Sequence, residues 1–225
     1  MYRKKCILLF VKYPEWGMVK SRLLKDLTED VVLSLYKNFV LDLLDTLKKG
    51  RYRFEICFYP PESKEKMLNW LGKDYVYMPQ KGKDLGERMS HAFTEGFSEG
   101  FSKVVLIGSD IPDLTYELID KAFEFDANDA VIGPSFDGGY YLIGFKNNSF
   151  LPDIFEGIQW STGTVFKKTM EILNRKNYRV HILPKWQDID MLDDVRVLFE
   201  RNKNTGFADS RTMHFLSANL GTFLK

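Results

Sequence analysis

Carboxylates at the ends of apolar runs are the first residues in this 225-residue chain whose placement suggests chemistry. Asp110 closes VVLIGSDIPDL (104–114), where an apolar strand gives way to Gly108, Ser109 and then Pro112. Such a carboxylate is ready to hold a hard cation. Magnesium takes one or two protein carboxylates and completes its shell with substrate phosphate oxygens. The alternative is that Asp110, or Asp113, caps the turn into the next helix. A second acidic cluster, WQDIDMLDD (186–194), follows the last expected strand and offers Asp188 and Asp190. Asp190 equally suits the N-cap of a helix over 190–202, and Asp193 and Asp194 suit its first turn.

The cations that would accompany a phosphate sit in KYPEWGMVKSRL (12–23), which carries Lys12, Lys20 and Arg22, with Gly17 to let the loop curl. Lysine supplies a point charge and arginine a bidentate fork. A solvated basic loop is the competing reading. Neither GxxxxGK[ST] nor GxGxxG is present, so this is not a Walker loop and the dinucleotide fingerprint is missing. In QKGKDLGERM (80–89), Gln80, Gly82 and Asp84 would let backbone and amide groups approach a base or ribose. Asp84 is also a natural N-cap. GPSFDGGYYLIGF (133–145) sets Asp137 beside Gly138, Gly139, Tyr140 and Tyr141, which suggests a close approach of backbone to ligand, or else a bulge or tight turn. IQWSTGTVFKKT (158–169) adds Trp160 and a Ser-Thr-Gly-Thr run at a helix start, an end that favours anions, or caps itself through Ser161 or Thr162. His91, His181 and His214 lack zinc-ligand spacing and no GxSxG elbow occurs, so the chemistry left is that of a metal and positioning.

These loops need elements to hold them. Apolar runs of strand length at 5–11, 53–60, 75–78, 103–108, 129–134 and 178–183 alternate with helical patterns at 28–49, 62–71, 85–99, 115–124, 162–175 and 190–202. Val32, Leu35, Phe39, Leu43 and Leu47 show the helical spacing most clearly. That alternation predicts an α/β fold, a mostly parallel sheet with helices on both faces and ligands at the carboxyl ends of the strands. DGGYYLIGF (137–145) is too short for a crossover helix and reads as a strand that departs from the parallel pattern. The chain is expected to form a single domain over 1–202, with 203–225 as a C-terminal tail.

Composition limits the partners. Lysine plus arginine (32) nearly cancels aspartate plus glutamate (31), so no global field draws the chain to nucleic acid or an anionic membrane. Cys6 and Cys57 lie in apolar strands and read as small hydrophobes. No apolar stretch reaches the roughly 18 residues of a membrane span, and the short run after the N-terminal basic residues lacks a cleavage site. A cytoplasmic setting is expected.

Taken together and in order, FVKYPEWGMVKSRL, QKGKDLGERM, VVLIGSDIPDL, AVIGPSFDGGYYLIGF, WSTGTVFKKT and DIDMLDD resemble a family of uncharacterised glycosyltransferase-like proteins, also described as radical-SAM/selenodomain-associated transferases. That family belongs to the nucleotide-diphospho-sugar transferase superfamily, with 2-phospholactate and molybdenum-cofactor guanylyltransferases as its nearest functional relatives. The resemblance implies a GT-A-like fold and a nucleotide or nucleotide-sugar donor on the N-terminal half of the sheet edge, near Lys12, Gln80, Gly82 and Asp84. A small-molecule acceptor is implied on the C-terminal half, near Gly138, Gly139, Tyr140 and Trp160. It makes Asp110 the metal-binding aspartate for Mg2+ or Mn2+, in Ser-Asp form without a full D-x-D. Asp190 is the first choice for second ligand, ahead of Asp188. Lys20 and Arg22 resemble the phosphate-contacting pair. Glycosyl transfer, with Asp137 orienting or deprotonating the acceptor hydroxyl, is the implied reaction; nucleotidyl transfer and nucleotide binding without turnover are the alternatives.

Overall fold

A computed structural model of the protein describes residues 5–219 and residue 221. Among the described residues, seven strands form one sheet: β1 (Lys5–Lys12), β2 (Arg53–Tyr59), β3 (Val76–Pro79), β4 (Lys103–Gly108), β5 (Ala130–Pro134), β6 (Tyr140–Lys146) and β7 (Val180–Ile182). They lie in the order β3-β2-β1-β4-β6-β5-β7. β1 pairs in parallel with β2 and β4, β2 with β3, and β5 with β7. β6 runs antiparallel to both β4 and β5. The glycine-led segment expected to break the parallel pattern is therefore the strand that does so. Its short connection to β5 leaves no room for the crossover a parallel neighbour needs.

The helices are α1 (Glu29–Lys48), α2 (Lys64–Leu71), α3 (Leu85–Ser98), α4 (Tyr116–Lys121), α5 (Val165–Arg175), α6 (Leu192–Asn202) and α7 (Arg211–Ala218). Strand residues alternate between the two faces of the sheet, and the core divides accordingly. Ile7, Leu9 and Val11 of β1 join Val40, Leu43 and Leu47 of α1 on one face. Cys6, Leu8 and Phe10 join Met89, Phe93 and Phe97 of α3 on the other.

A third cluster does not touch the sheet's centre and matters most for the site. Leu23 and Leu27, from the loop after β1, pack with Leu35 and Phe39 of α1, Ile189, Val195 and Leu198 around α6, and Met213 and Leu216 of α7. Residues from both ends of the chain meet there. Fully burying a side chain such as Leu23 or Ile189 contributes about 1.5–3 kcal/mol, so the cluster clamps the basic loop to the acidic segment. The stretch after Asn202, whose periodicity is weak, supplies α7 to this clamp. The buried Asp42 carboxylate of α1 accepts the Arg211 and Thr212 backbone N–H groups at 3.0 and 2.8 Å, which fixes where α7 begins.

Candidate active site

The chain leaves β1 toward β2 and β3 on one side, while β4 and its successors lie on the other, so the direction of winding reverses between β1 and β4. A crevice opens at the carboxyl ends of strands where that happens. Here it is a cavity of about 480 Å³ reaching from Lys12, Lys20 and Arg22 past Gly108, Ser109 and Asp110 to Asp190, with Gln80, Arg88 and Tyr140 also on its walls. Tyr36 of α1 pins the two strand ends together. Its hydroxyl accepts from the Lys12 N–H at 3.0 Å and lies 3.1 Å from both the Lys12 carbonyl and Ser109 Oγ.

Lys20 stands at the centre. Its Nζ lies 2.7 Å from Asp110 Oδ1 and 2.9 Å from Asp190 Oδ1, and only 4% of its side chain is exposed. Burial alone would lower the ammonium's pKa, but the two carboxylates outweigh it and hold the pKa raised, so Lys20 stays charged. Asp190 mirrors this: burial pushes its carboxyl up, and the Lys20, Arg22 and Lys12 charges bring it below the usual range. Arg22 Nη1 reaches Asp190 Oδ2 at 3.3 Å. Asp188 draws less from the Lys20 charge. Burial first, then the Asp137 and Asp190 carboxylates, push it up to about 7, and its Oδ1 is buried without a hydrogen-bond partner.

Backbone contacts explain how the acidic segment is aimed. The Ile189 N–H donates to the Asp110 carbonyl at 2.9 Å, locking the two carboxylate-bearing loops side by side. Asp194 accepts from the Asp190 and Met191 N–H groups at 3.0 and 2.8 Å and so supplies the acidic cap at the start of α6. Asp190 is left free of that duty. Asp113 does not cap either: it is buried and accepts from Arg201, Trp186 and Asn202, and Thr115 caps α4.

The remaining candidates divide. Gln80 lines the cavity with its Nε2 donating to the Cys57 carbonyl at 2.7 Å, which fixes the amide's orientation. Tyr140 also lines it. Asp84 accepts from the Glu87 N–H at 2.9 Å as the N-cap of α3, and Gly82, at φ 142°, folds against Glu87 and Arg88, where a Cβ would come within 2.6 Å of Glu87. Asp137 braces a tight turn: its Oδ1 accepts from the Gly139 N–H at 2.8 Å and from Ser135 Oγ. Gly138, at φ 90°, lies so close to Gly163 that a Cβ would sit 2.1 Å from its carbonyl oxygen. The close approach at Gly138 is thus backbone to backbone, while Gly139 faces the Asp137 and Ser135 side chains. Trp160 packs over Gly86 and against Phe155. The turn 161–164 precedes α5 without a side-chain cap, and Thr162 Oγ1 donates back to the Gln159 carbonyl.

Arg88 joins the site without belonging to any of the sequence candidates. Its guanidinium lies 4.5 Å from the Tyr59 ring centroid, and its Nε is buried without a partner. A signal existed: Arg88 is a cation in the first turn of α3, the end where the helix dipole disfavours positive charge.

Among the described residues, no group of three or more His, Cys, Asp or Glu side chains is preassembled to hold a metal. Asp110 and Asp190 are a pair of hard oxygen donors with the orphaned Asp188 oxygen nearby. That set suits a magnesium- or manganese-like ion completing its shell with substrate oxygens.

The fold and its switch-point cavity define a Rossmann-like α/β protein of the nucleotide-sugar-transferase type. The chain belongs to the family described as "uncharacterized protein conserved in bacteria" (DUF2064), whose model matches residues 43–162. It is similar to a protein of Desulfovibrio desulfuricans G20 provisionally assigned as a nucleotide-diphospho-sugar transferase, at 44% identity and TM-score 0.94 over 98% of this chain and 96% of that one. A cytidylyltransferase from Leptospira borgpetersenii shares the fold at 13% identity and TM-score 0.57, over 99% and 97% of the two chains. So does Rv0371c of Mycobacterium tuberculosis H37Rv in complex with manganese, at 14% identity and TM-score 0.53, over 89% and 100%. No curated protein matches the chain. No helix among the described residues is long and apolar enough to cross a membrane.

Proposed function

We propose that the protein is a metal-dependent transferase that takes a nucleotide-linked phosphate donor, and that nucleotidyl transfer to a phosphorylated small molecule is the reaction its site suits best. The observation that carries this reading is the Lys20 ammonium held between Asp110 and Asp190, with Lys12, Arg22 and Arg88 on the same cavity. Cations for a polyphosphate and carboxylates for a hard ion converge on one crevice. Lys12, Lys20 and Arg22 bind the donor's phosphates and take up the charge that gathers on departing pyrophosphate as the acceptor phosphate attacks the α-phosphorus. A magnesium or manganese ion held by Asp110 and Asp190, beside Asp188, would supply Lewis-acid neutralisation of phosphate charge. Gln80 and Arg88 offer a fixed amide and an unmatched donor to the rest of the nucleotide.

Glycosyl transfer is the second reading, favoured by the designation of the 44%-identical relative. It asks for a base to take the acceptor's hydroxyl proton. Asp137 is poorly disposed for that, because one of its oxygens is committed to the Ser135–Gly139 turn. An acceptor that is already an ionised phosphate needs no such base.

The test is a thermal-shift panel of nucleoside triphosphates and nucleotide sugars, with and without magnesium or manganese, followed by product analysis with the donor that binds. Binding raises the melting temperature by mass action. We expect metal-dependent stabilisation by a triphosphate, its loss in Asp110→Asn, and release of pyrophosphate. Release of nucleoside diphosphate, with turnover collapsing in Asp137→Asn, would establish glycosyl transfer instead. Stabilisation indifferent to metal would leave a nucleotide-binding protein without this chemistry.

A further inference from the structure

Two carboxylates that converge on one cavity repel each other, and here the protein itself cancels the repulsion. The Lys20 Nζ sits within ion-pair distance of one oxygen from each, at 2.7 and 2.9 Å, and is almost wholly buried while doing so. Its backbone is in the left-handed region, at φ 48°. A side-chain-bearing residue pays roughly 1 kcal/mol or more for that conformation, which persists only where the surroundings impose it and gathers at ligand clamps and switches. What imposes it is visible: the ion pairs on one side, and on the other Leu23, three residues on and wholly buried.

A divalent ion using the same two oxygens would have to stand where the ammonium stands. Like charges at such separations are strongly unfavourable in a partly buried site. The charge balance points the same way. Lys20, Arg22, Asp110 and Asp190 form a cluster that is already neutral, so a bare divalent ion adds uncompensated positive charge. A cation–triphosphate complex brings net negative charge, which Lys12 and Arg88 on the same cavity can meet.

We propose that Lys20 is the resident occupant of the cation seat, so that the site refuses a bare divalent ion and accepts one only as its complex with a polyphosphate. This rests on the reading of the ligand as a nucleotide-linked polyphosphate. As the complex arrives, its phosphate oxygens become the new partners of the ammonium, and the two carboxylates are released to the ion. One lysine thus serves in turn as counter-ion and as phosphate ligand.

The experiment measures Mn2+ alone, by loss of the free-ion paramagnetic resonance signal, on the wild type, Lys20→Met and Lys20→Gln. Bare Mn2+ should bind at least about tenfold more tightly to either variant than to the wild type, the opposite of what loss of an ordinary site residue does. Adding Asp110→Asn to Lys20→Met should abolish the gain. Both lysine variants leave two carboxylates without their counter-charge, so they should melt lower than the wild type in metal-free buffer and recover with Mn2+. Recovery is a response that a merely structural lysine would not give, and the glutamine variant keeps the test open should the methionine variant not fold. Bare Mn2+ binding no tighter in the folded variant than in the wild type overturns the proposal. So does a wild type whose melting temperature is raised as much by Mn2+ alone as by Mn2+ with a triphosphate. A tenfold gain in the bare-ion arm with no triphosphate or nucleotide sugar binding to the wild type would sink the donor assignment, while leaving Lys20 in the seat.

Discussion

Replacing Asp113 should unlatch the acidic segment from the rest of the fold. Its carboxylate is 3% exposed and receives four hydrogen bonds: Arg201 Nε at 2.7 Å, Arg201 Nη2 at 2.8 Å, Asn202 Nδ2 at 2.7 Å and Trp186 Nε1 at 3.1 Å. Removing one partner of a buried charged pair costs about 3–5 kcal/mol, because the other is left uncompensated. Arg201 is 27% exposed and can recover some hydration, which argues for the lower end of that range. The half-buried Trp186 indole recovers part as well, and the buried Asn202 amide cannot. With about 3 kcal/mol lost, and each kcal/mol worth roughly 2–4 °C in a chain of this size, Asp113→Ala should melt about 6–12 °C below the wild type. Lys168→Ala is the control, for its pair with Glu171 is half exposed on both sides and should change stability by less than about 0.5 kcal/mol. Thermal melts followed by circular dichroism, with urea unfolding as a second measure, decide the matter. If Asp113→Ala melts within about 2 °C of the wild type, the carboxylate is not the latch its contacts suggest.

Arg88→Ala should weaken donor binding by roughly ten- to a hundredfold, the usual worth of a hydrogen bond from a charged group, with stability within about 1 kcal/mol of the wild type; titration calorimetry with the donor found in the panel checks it, and unchanged affinity would remove Arg88 from the site. Glu55 is wholly buried, and burial first, then the Glu99 carboxylate, raise its pKa despite the ion pair of its Oε1 with Arg53 Nη2 at 3.1 Å. The folded state therefore keeps this proton to a higher pH than the unfolded state does, and stability contributed by the neutral form is lost as pH rises from the unfolded value through the folded one. Glu55→Gln cannot ionise, so its stability relative to the wild type should improve from pH 4 to pH 8. A difference that is flat or reversed across urea titrations in that range would contradict the raised pKa.

The parts of this fold that could be read in the sequence are those fixed by local pattern. The apolar run 103–108 and the helical repeat of Val32, Leu35 and Phe39 each bury a face whatever the rest of the chain does. The glycine-led run from Asp137 betrayed the antiparallel β6 because no crossover fits there. Asp84 was legible only as an alternative. A residue between two glycines before a helix suits a nucleotide and a cap equally, and the cap shows itself only in the Glu87 N–H that Asp84 accepts. Arg88 is hard to see in the sequence because the core-facing residues of α3 dominate its pattern. The pairing of Lys20 with Asp190 had no local signature at all, since 170 positions separate them.

What brings that pair together is apolar. Leu23 lies three residues after Lys20 and Ile189 one residue before Asp190, and both are fully buried in the cluster that α1, α6 and α7 complete. An ion pair alone would be a poor anchor for two loops, because desolvating its charges offsets much of their attraction. Two buried aliphatic side chains contribute without that penalty and are indifferent to what binds above them. The charged groups are then free to change partners while their backbones stay in place. A site in which one lysine must leave two carboxylates for a phosphate needs that division: positions held by the core, and electrostatics left to the ligand.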